Sequence, residues 1–185
     1  MWCRSQCGIS LLESLITLAL AGMLLAVAIP SVSSWVARHK LITFQHDIYR
    51  TFMLARQHAI SQAGWVIVCP LNKDGTCALP KGTWNLGWRV FETSGNKDCK
   101  LQGNGFCDHG GKVLLERGPV KSGYALTVNS HLARRARFDS LGMSHGYNGR
   151  LTVCSKQHPD SLGLVIAQSG RVRKARHDEI LPCNP

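Results

Sequence analysis

The sequence has no C-x-x-C pair, no G-x-S-x-G elbow and no glycine loop built to cradle a phosphate. The first absence excludes the usual zinc ribbon and the thioredoxin-like redox site, and the other two exclude the α/β-hydrolase and P-loop chemistries. Acidic side chains are also scarce, 11 Asp and Glu against 22 Lys and Arg, for a net charge of +11. Those few carboxylates are not paired on one strand or helix for general acid–base work. Asp139, Ser144 and His145 can be drawn as a triad, but any chain of 185 residues offers such a trio by chance. The chain therefore reads as a non-enzyme. Its length suits one ordinary domain and is too short for two comfortable ones.

Metal and cofactor sites are equally unsupported. His39, His46 and His58 lack the i, i+4 spacing of a helical zinc pair, and Cys107-Asp108-His109 is a half-site without a partner. No metal or cofactor is expected. What the chain has in excess is positive charge, which calls for a partner of opposite sign, nucleic acid or an anionic membrane. It also has eight cysteines, a number that fits disulfides formed outside the cytosol.

Residues 9–29 read ISLLESLITLALAGMLLAVAI, an apolar run broken by one charge, Glu13, and long enough to span a bilayer. A short polar leader, MWCRSQCG, precedes it and ends in Gly8. An ordinary secretory signal peptide is one reading, since Ala26-Val27-Ala28 fits a small-x-small cleavage site. Against it stand the length of the run and the charge inside it, because a carboxylate in lipid is costly.

Gly8, then Ile9-Ser10-Leu11-Leu12-Glu13, then an apolar helix with Pro30 near its end, resembles the class III leader of type IV prepilins and pseudopilins. The resemblance implies cleavage between Gly8 and Ile9 by a prepilin peptidase, with methylation of the new amine. Most of these proteins carry phenylalanine where this chain has Ile9, a departure that bears on methylation. The resemblance also gives Glu13 a role in assembly, pairing with the amine of a neighbouring subunit. Physical chemistry agrees: that amine, with a pKa of about 7.7–8.0 in water, is charged near neutral pH and needs a counterion in lipid. Glu13 also lies favourably near its own helix N-terminus; the plainer alternative is a carboxylate solvated at the membrane surface.

Beyond Pro30, where a kink or melted turn is expected, Leu41, Phe44, Ile48, Phe52, Ala55 and Ala59 keep a helical period and mark one buried stripe. Arg38, Lys40, Arg50 and Arg56 fall to the other faces, and Gly64 is placed to end the helix. From Trp65 onward short runs bounded by turn residues read as strands: WVIVC, WNLGWRVFE, KVLLER, YALTVN, RARFD, RLTVCS, LGLVIAQ and RVRKAR. The expected class is α+β, a long N-terminal helix and an antiparallel sheet packed on its stripe. The resemblance implies the same architecture, the type IV pilin fold. The expected organisation is a leader at 1–8, a transmembrane and assembly helix at 9–29, its continuation at 30–64 and a β-rich domain at 65–185.

Finer features narrow the resemblance. Trp84-Asn85-Leu86-Gly87-Trp88-Arg89-Val90-Phe91 after the Cys69–Cys77 excursion, and the ending with Cys154, LGLVIAQSGRVR and Cys183, look like minor pilins of the FimT/GspH class. Loss of Cys3 and Cys7 with the leader leaves six cysteines and fifteen connectivities. The favoured set is Cys69–Cys77, Cys99–Cys107 and Cys154–Cys183, two small loops and one tie from tail to sheet.

Charge concentrates toward the C-terminus, where residues 121–185 hold ten Lys and Arg against four Asp and Glu. In an extended strand Arg171 and Arg173 project from one face about 6.6–6.8 Å apart, a spacing suited to successive backbone phosphates, while Val172 points the other way. Lys174 and Arg176 extend the patch. Gly170-Arg171-Val172-Arg173 resembles the G-R-x-R element by which DNA-binding FimT-type pilins capture DNA in natural transformation, and that resemblance implies non-specific DNA binding here. Arg134, Arg135 and Arg137 make a weaker case. The tryptophans fall in helix or strand patterns and read as core, leaving no evident base-stacking platform. The expected partners are therefore the prepilin peptidase, other major and minor pilins or pseudopilins, the inner membrane before assembly, and DNA. The protein would sit as a single-pass inner-membrane protein with a periplasmic domain, then in an extracellular pilus. The alternative is a structural minor pilin, or a GspH-type pseudopilin of a type II secretion system, with no DNA binding.

Overall fold

The computed structural model describes residues 10–77, 83–93, 107–108, 110–156 and 159–183, with the side chains of residues 25 and 27–31 also left aside. Gly8, Ile9 and Cys99 lie outside the described residues. The chain divides into two compact units, Met1–Arg38 and His39–Pro185.

A single helix, α1 (Leu11–Ser61), crosses the boundary between them. Its start is set by Ser10, whose hydroxyl accepts the Glu13 N–H at 3.2 Å. Ser10-Leu11-Leu12-Glu13 is the sequence of a capping box, with Glu13 in the first turn where the helix dipole favours a carboxylate. Glu13 thus has a local place at the start of the helix. Helical backbone continues without a break through Pro30, so the melted turn expected there is not present. Among the described residues no helix is long and apolar enough to cross a membrane. The uninterrupted described part of the apolar run, residues 10–24, falls short of the roughly 20 residues a span needs.

The C-terminus of α1 has a Schellman geometry. Ala63 N–H reaches the Ile60 carbonyl at 3.2 Å and Gly64 N–H the Ala59 carbonyl at 3.0 Å. The left-handed residue is Ala63, with φ 48°, and not Gly64 as the sequence suggests. Glycine one position too late leaves an alanine in a conformation its Cβ disfavours.

In the second unit the α1 stripe of Leu41, Ile48, Phe52, Ala55 and Ala59 is buried as the periodicity requires, with Phe44 half-buried beside it. Eight strands follow: β1 (Trp65–Pro70), β2 (Trp88–Thr93), β3 (Val113–Arg117), β4 (Tyr124–Val128), β5 (Ala136–Phe138), β6 (Gly149–Ser155), β7 (Leu162–Ile166) and β8 (Val172–Lys174). They form two four-stranded sheets, in the orders β3-β2-β1-β5 and β4-β6-β7-β8, and not the single sheet expected. The pairings within both are antiparallel. Sequence patterning locates strands but carries no record of which edges pair, so the division into two sheets was not readable from it.

Trp84 and Asn85 knit the sheets together from a short 3-10 turn (Trp84–Leu86) where the pattern had suggested strand. Asn85 Oδ1 accepts the Leu126 N–H of β4 at 2.7 Å, and the Trp84 indole N–H reaches the Leu132 carbonyl at 3.0 Å. Trp84 also stacks against Phe52 of α1 and Trp88 of β2. Cys69 is joined to Cys77, with Cα atoms 5.7 Å apart, and Cys154 to Cys183, 5.8 Å apart. Cys107 is disulfide-bonded as well.

Candidate functional site

The basic C-terminal element sits at the edge of the second sheet, in the hairpin between β7 and β8. Gly170 N–H donates to the Ala167 carbonyl at 2.9 Å, and Ala167 N–H donates to the Arg171 carbonyl at 3.0 Å. This is a type I turn closed by a left-handed residue, and Gly170 supplies it with φ 72°. A Cβ at Gly170 would also collide with the carbonyl of Gly142. That close neighbour belongs to a second turn of the same construction, Asp139–Met143, in which Gly142 has φ 71°. The two turns are tied by Ser144 N–H to the Gln168 carbonyl at 2.8 Å. Arg56 of α1 completes the fixture, donating Nε–H to the Gly142 carbonyl at 3.0 Å. The hairpin that carries Arg171 is therefore held by a neighbouring loop and by the helix.

The side chains along β8 follow strand alternation, with Arg171 exposed, Val172 buried and Arg173 half-buried. Arg171 and Lys174 have no ion-pair partner among the described residues and face solvent. Arg173 is different. Its guanidinium forms two parallel hydrogen bonds to the Glu179 carboxylate, each 2.6 Å. Glu179 also accepts the Arg176 N–H at 2.8 Å, within a 3-10 turn at His177–Glu179. The Arg173 bonds, then the Arg176 N–H, hold the Glu179 pKa down at about 2, while Arg173 is raised above its ordinary value. The expectation of two free guanidiniums on one face is corrected accordingly: Arg173 is already neutralised by a carboxylate eight residues from its partner Arg171, which is free. Glu179 was counted in the charge balance, but no sequence rule ties it to Arg173, because the contact depends on how the chain turns after β8.

The Arg134–Arg137 run divides similarly. Arg134 is exposed, Arg135 is 3% exposed and belongs to the interior, and the Arg137 guanidinium lies between the rings of Trp65 and Tyr147, 4.3 and 4.5 Å from their centroids. Trp84 and Trp88 are core as expected, whereas Trp35 and Trp65 are exposed. Of the three helix histidines, His58 is half-buried and hydrogen-bonded through Nε2 to the Glu92 carboxylate. Among the described residues no group of three or more His, Cys, Asp or Glu could hold a metal.

Between α1 and β8 lies a groove of about 530 Å³. Arg171, Arg173 and Lys174 line it from the strand, and His46, Tyr49, Met53 and Arg56 from the helix. Leu164 and Val172 add apolar surface. Tyr49 and Met53 are half-buried and packed against the main core, so the groove has a fixed wall. Sequence reading placed Arg56 on a solvent face of α1 and gave Tyr49 no role; both reach the site only because α1 packs beside the β7–β8 hairpin.

The family model described as Type II transport protein GspH matches residues 45–170, more than half of the chain. The chain belongs to the GspH family. The type IV minor pilin FimU of Pseudomonas aeruginosa (strain PAO1) superposes with a TM-score of 0.54 at 15% identity, over 77% of this chain and 92% of FimU. That likeness shows the fold: a type IV pilin fold, in which a long N-terminal helix precedes antiparallel sheets. The minor pseudopilin EpsH from the Type 2 Secretion System of Vibrio cholerae is also similar, at a TM-score of 0.46 and 16% identity over 73% of this chain and 95% of EpsH. No curated protein matches the chain. The chain is thus a GspH-family protein with the type IV pilin fold. The family match ends at Gly170, one residue before the cationic strand that lines the groove.

Proposed function

We propose that this GspH-family subunit is a minor pilin of a type IV pilus that binds DNA non-specifically through the β7–β8 hairpin, for uptake in natural transformation. The observation that carries the reading is the pair Arg171 and Lys174, exposed and without ion-pair partners among the described residues, on a hairpin whose backbone is fixed. Guanidinium and ammonium groups held this way suit backbone phosphates and read no bases. Arg173 and Arg176 supply further charge, Arg173 only by exchanging Glu179 for phosphate. Gly170 acts through the turn it permits.

The N-terminal segment fits the same reading. Leu11, Leu12, Leu15, Ile16, Leu18 and Leu20 are all more than half exposed, an apolar surface that needs lipid or neighbouring pilins to cover it. In the proposed sequence of events the prepilin peptidase cuts after Gly8, the Ile9 amine is methylated, and Glu13 of one subunit pairs with that amine on the next. The chain is then held in the inner membrane with its second unit in the periplasm until it joins the extracellular filament. Mass analysis of the mature chain tests this step, with an N-terminus at methylated Ile9 expected and an intact Met1, or cleavage after Ala28, contradicting it.

A second reading, a structural minor pilin or type II secretion pseudopilin without DNA binding, is favoured by the neutralisation of Arg173 by Glu179. The two part in one experiment. The full-length, oxidised chain in non-ionic detergent is titrated against labelled duplex DNA across a salt series. The DNA reading expects affinity in the range of about 10⁻⁴–10⁻⁶ M at physiological salt, falling steeply as salt rises and indifferent to sequence. Absence of binding at low salt leaves the structural reading.

A further inference from the structure

We propose that the α1–β8 groove holds one unpaired nucleotide of a nucleic-acid strand, its base against Tyr49 and Met53 and the two phosphates that flank it on Arg171 and Lys174. The inference rests on the DNA reading above and specifies the form of DNA the site prefers.

The groove's own chemistry selects the occupant. Its volume of about 530 Å³ lies within the usual range for small-ligand sites, roughly 300–1,000 Å³. Cations stand on both walls, Arg171 and Lys174 on the strand and Arg56 on the helix. Of the two carboxylates that act on Arg173, Glu179 and Asp178, Glu179 is paired with its guanidinium. An anion with no flat apolar part would use the cations and leave Tyr49 and Met53 wet. A neutral aromatic would use Tyr49 and Met53 and leave the cations unanswered. A nucleotide answers both at once, since every base offers a π-face and every linkage a phosphate.

The wall is also organised in advance. Tyr49 is half-buried against the core and Arg56 is anchored to the Gly142 carbonyl, so neither must be ordered when a ligand enters. A base in a duplex is stacked and paired, and reaches Tyr49 only by giving up that stacking and pairing. The site therefore favours single strands, frayed ends and gaps over intact duplex.

The experiment compares three probes of equal length on the full-length chain in detergent: a single-stranded oligonucleotide, its duplex, and an abasic strand that keeps the phosphates. The expected result is roughly tenfold tighter binding of the single strand than of the abasic strand. Tyr49→Leu should remove that advantage, with its thermal midpoint as the check on folding. Tyr49→Phe, which keeps the ring, should retain it. Equal affinity for single, abasic and duplex DNA, unaltered by Tyr49→Leu, overturns this inference and leaves the DNA reading standing. Failure of all three probes to bind overturns both. A poly-glutamate peptide that binds as tightly as the single strand overturns the choice of a nucleotide over an acidic chain.

Discussion

Glu179 and Arg173 decide how much of the basic element is free. The carboxylate is held at a pKa of about 2 by the paired guanidinium and the Arg176 N–H, below the 4.5 of an unconstrained glutamate. A lowered folded-state pKa means that its stabilising effect is complete above the ordinary value and is lost as pH falls from about 4.5 through 2. Carboxyl NMR titration is expected to find the Glu179 midpoint near 2, and Glu179→Gln should weaken the acid dependence of stability in that window. The same variant should bind DNA several-fold more tightly at neutral pH, because it leaves Arg173 for phosphate. A second carboxylate makes a sharper stability prediction. Arg89 is 2% exposed, with Nε–H on Glu116 at 2.8 Å and Nη2 on the Gly75 carbonyl at 2.8 Å, while Nη1 is buried without a partner. Glu116→Ala removes the charge that answers a buried guanidinium, and should cost about 2–4 kcal/mol in denaturant unfolding. Both pairs lie beyond residue patterning: Arg89 and Glu116 meet through the β2–β3 register, and Arg173 and Glu179 through the turn after β8.

At the scale of elements, the end of α1 carries an avoidable strain. Ala63 occupies the left-handed position of the Schellman motif, with Gly64 beyond it. Ala63→Gly is expected to raise stability by about 0.5–1 kcal/mol, a few degrees in thermal midpoint, because glycine takes this conformation without a steric cost. No gain would mean that the chain relaxes at this turn. The helix stripe was legible because burial every three or four residues leaves a direct mark on sequence. The strand runs were legible for the same reason, in runs of buried Val, Ile and Leu. Trp84–Leu86 was misread as strand because its apolar residues match a strand pattern, whereas the Asn85 bonds to Leu126 that set its conformation come from a distant segment. The β7–β8 turn docks against Gly142 and, through the Ser169 carbonyl, against Arg56 across 113 residues of chain, contacts that leave no local trace in the sequence.

On the scale of the whole molecule, the charge surplus is spent unevenly. Arg89 and Arg135 are buried, Arg137 is stacked between two rings and Arg173 is paired, so the net charge of +11 overstates what is offered to a partner. Of what remains exposed, Arg171 and Lys174 stand beside the helix wall of the groove, while Lys73, Arg117, Lys121, Arg134 and Arg150 are spread over other surfaces. The type IV pilin fold was legible from the helix, the strand runs and the resemblance of the flanking motifs. The groove was not, because its two walls lie more than a hundred residues apart in the chain. Its helix wall, Tyr49 and Met53, follows the apolar logic of the stripe, and only packing places it beside a cationic strand.

One comparison tests directly which cations are free to meet DNA. Duplex DNA binding at low salt is measured for the full-length chain, for Arg171→Ala/Lys174→Ala and for Arg173→Ala, with the thermal midpoint of each as a check on folding. The double variant is predicted to lose at least tenfold in affinity and to lower the salt slope by about 2, while Arg173→Ala changes affinity by less than about threefold because Glu179 already holds that guanidinium. Binding that survives the double variant, or that depends on Arg173 more than on Arg171 and Lys174, would contradict the account.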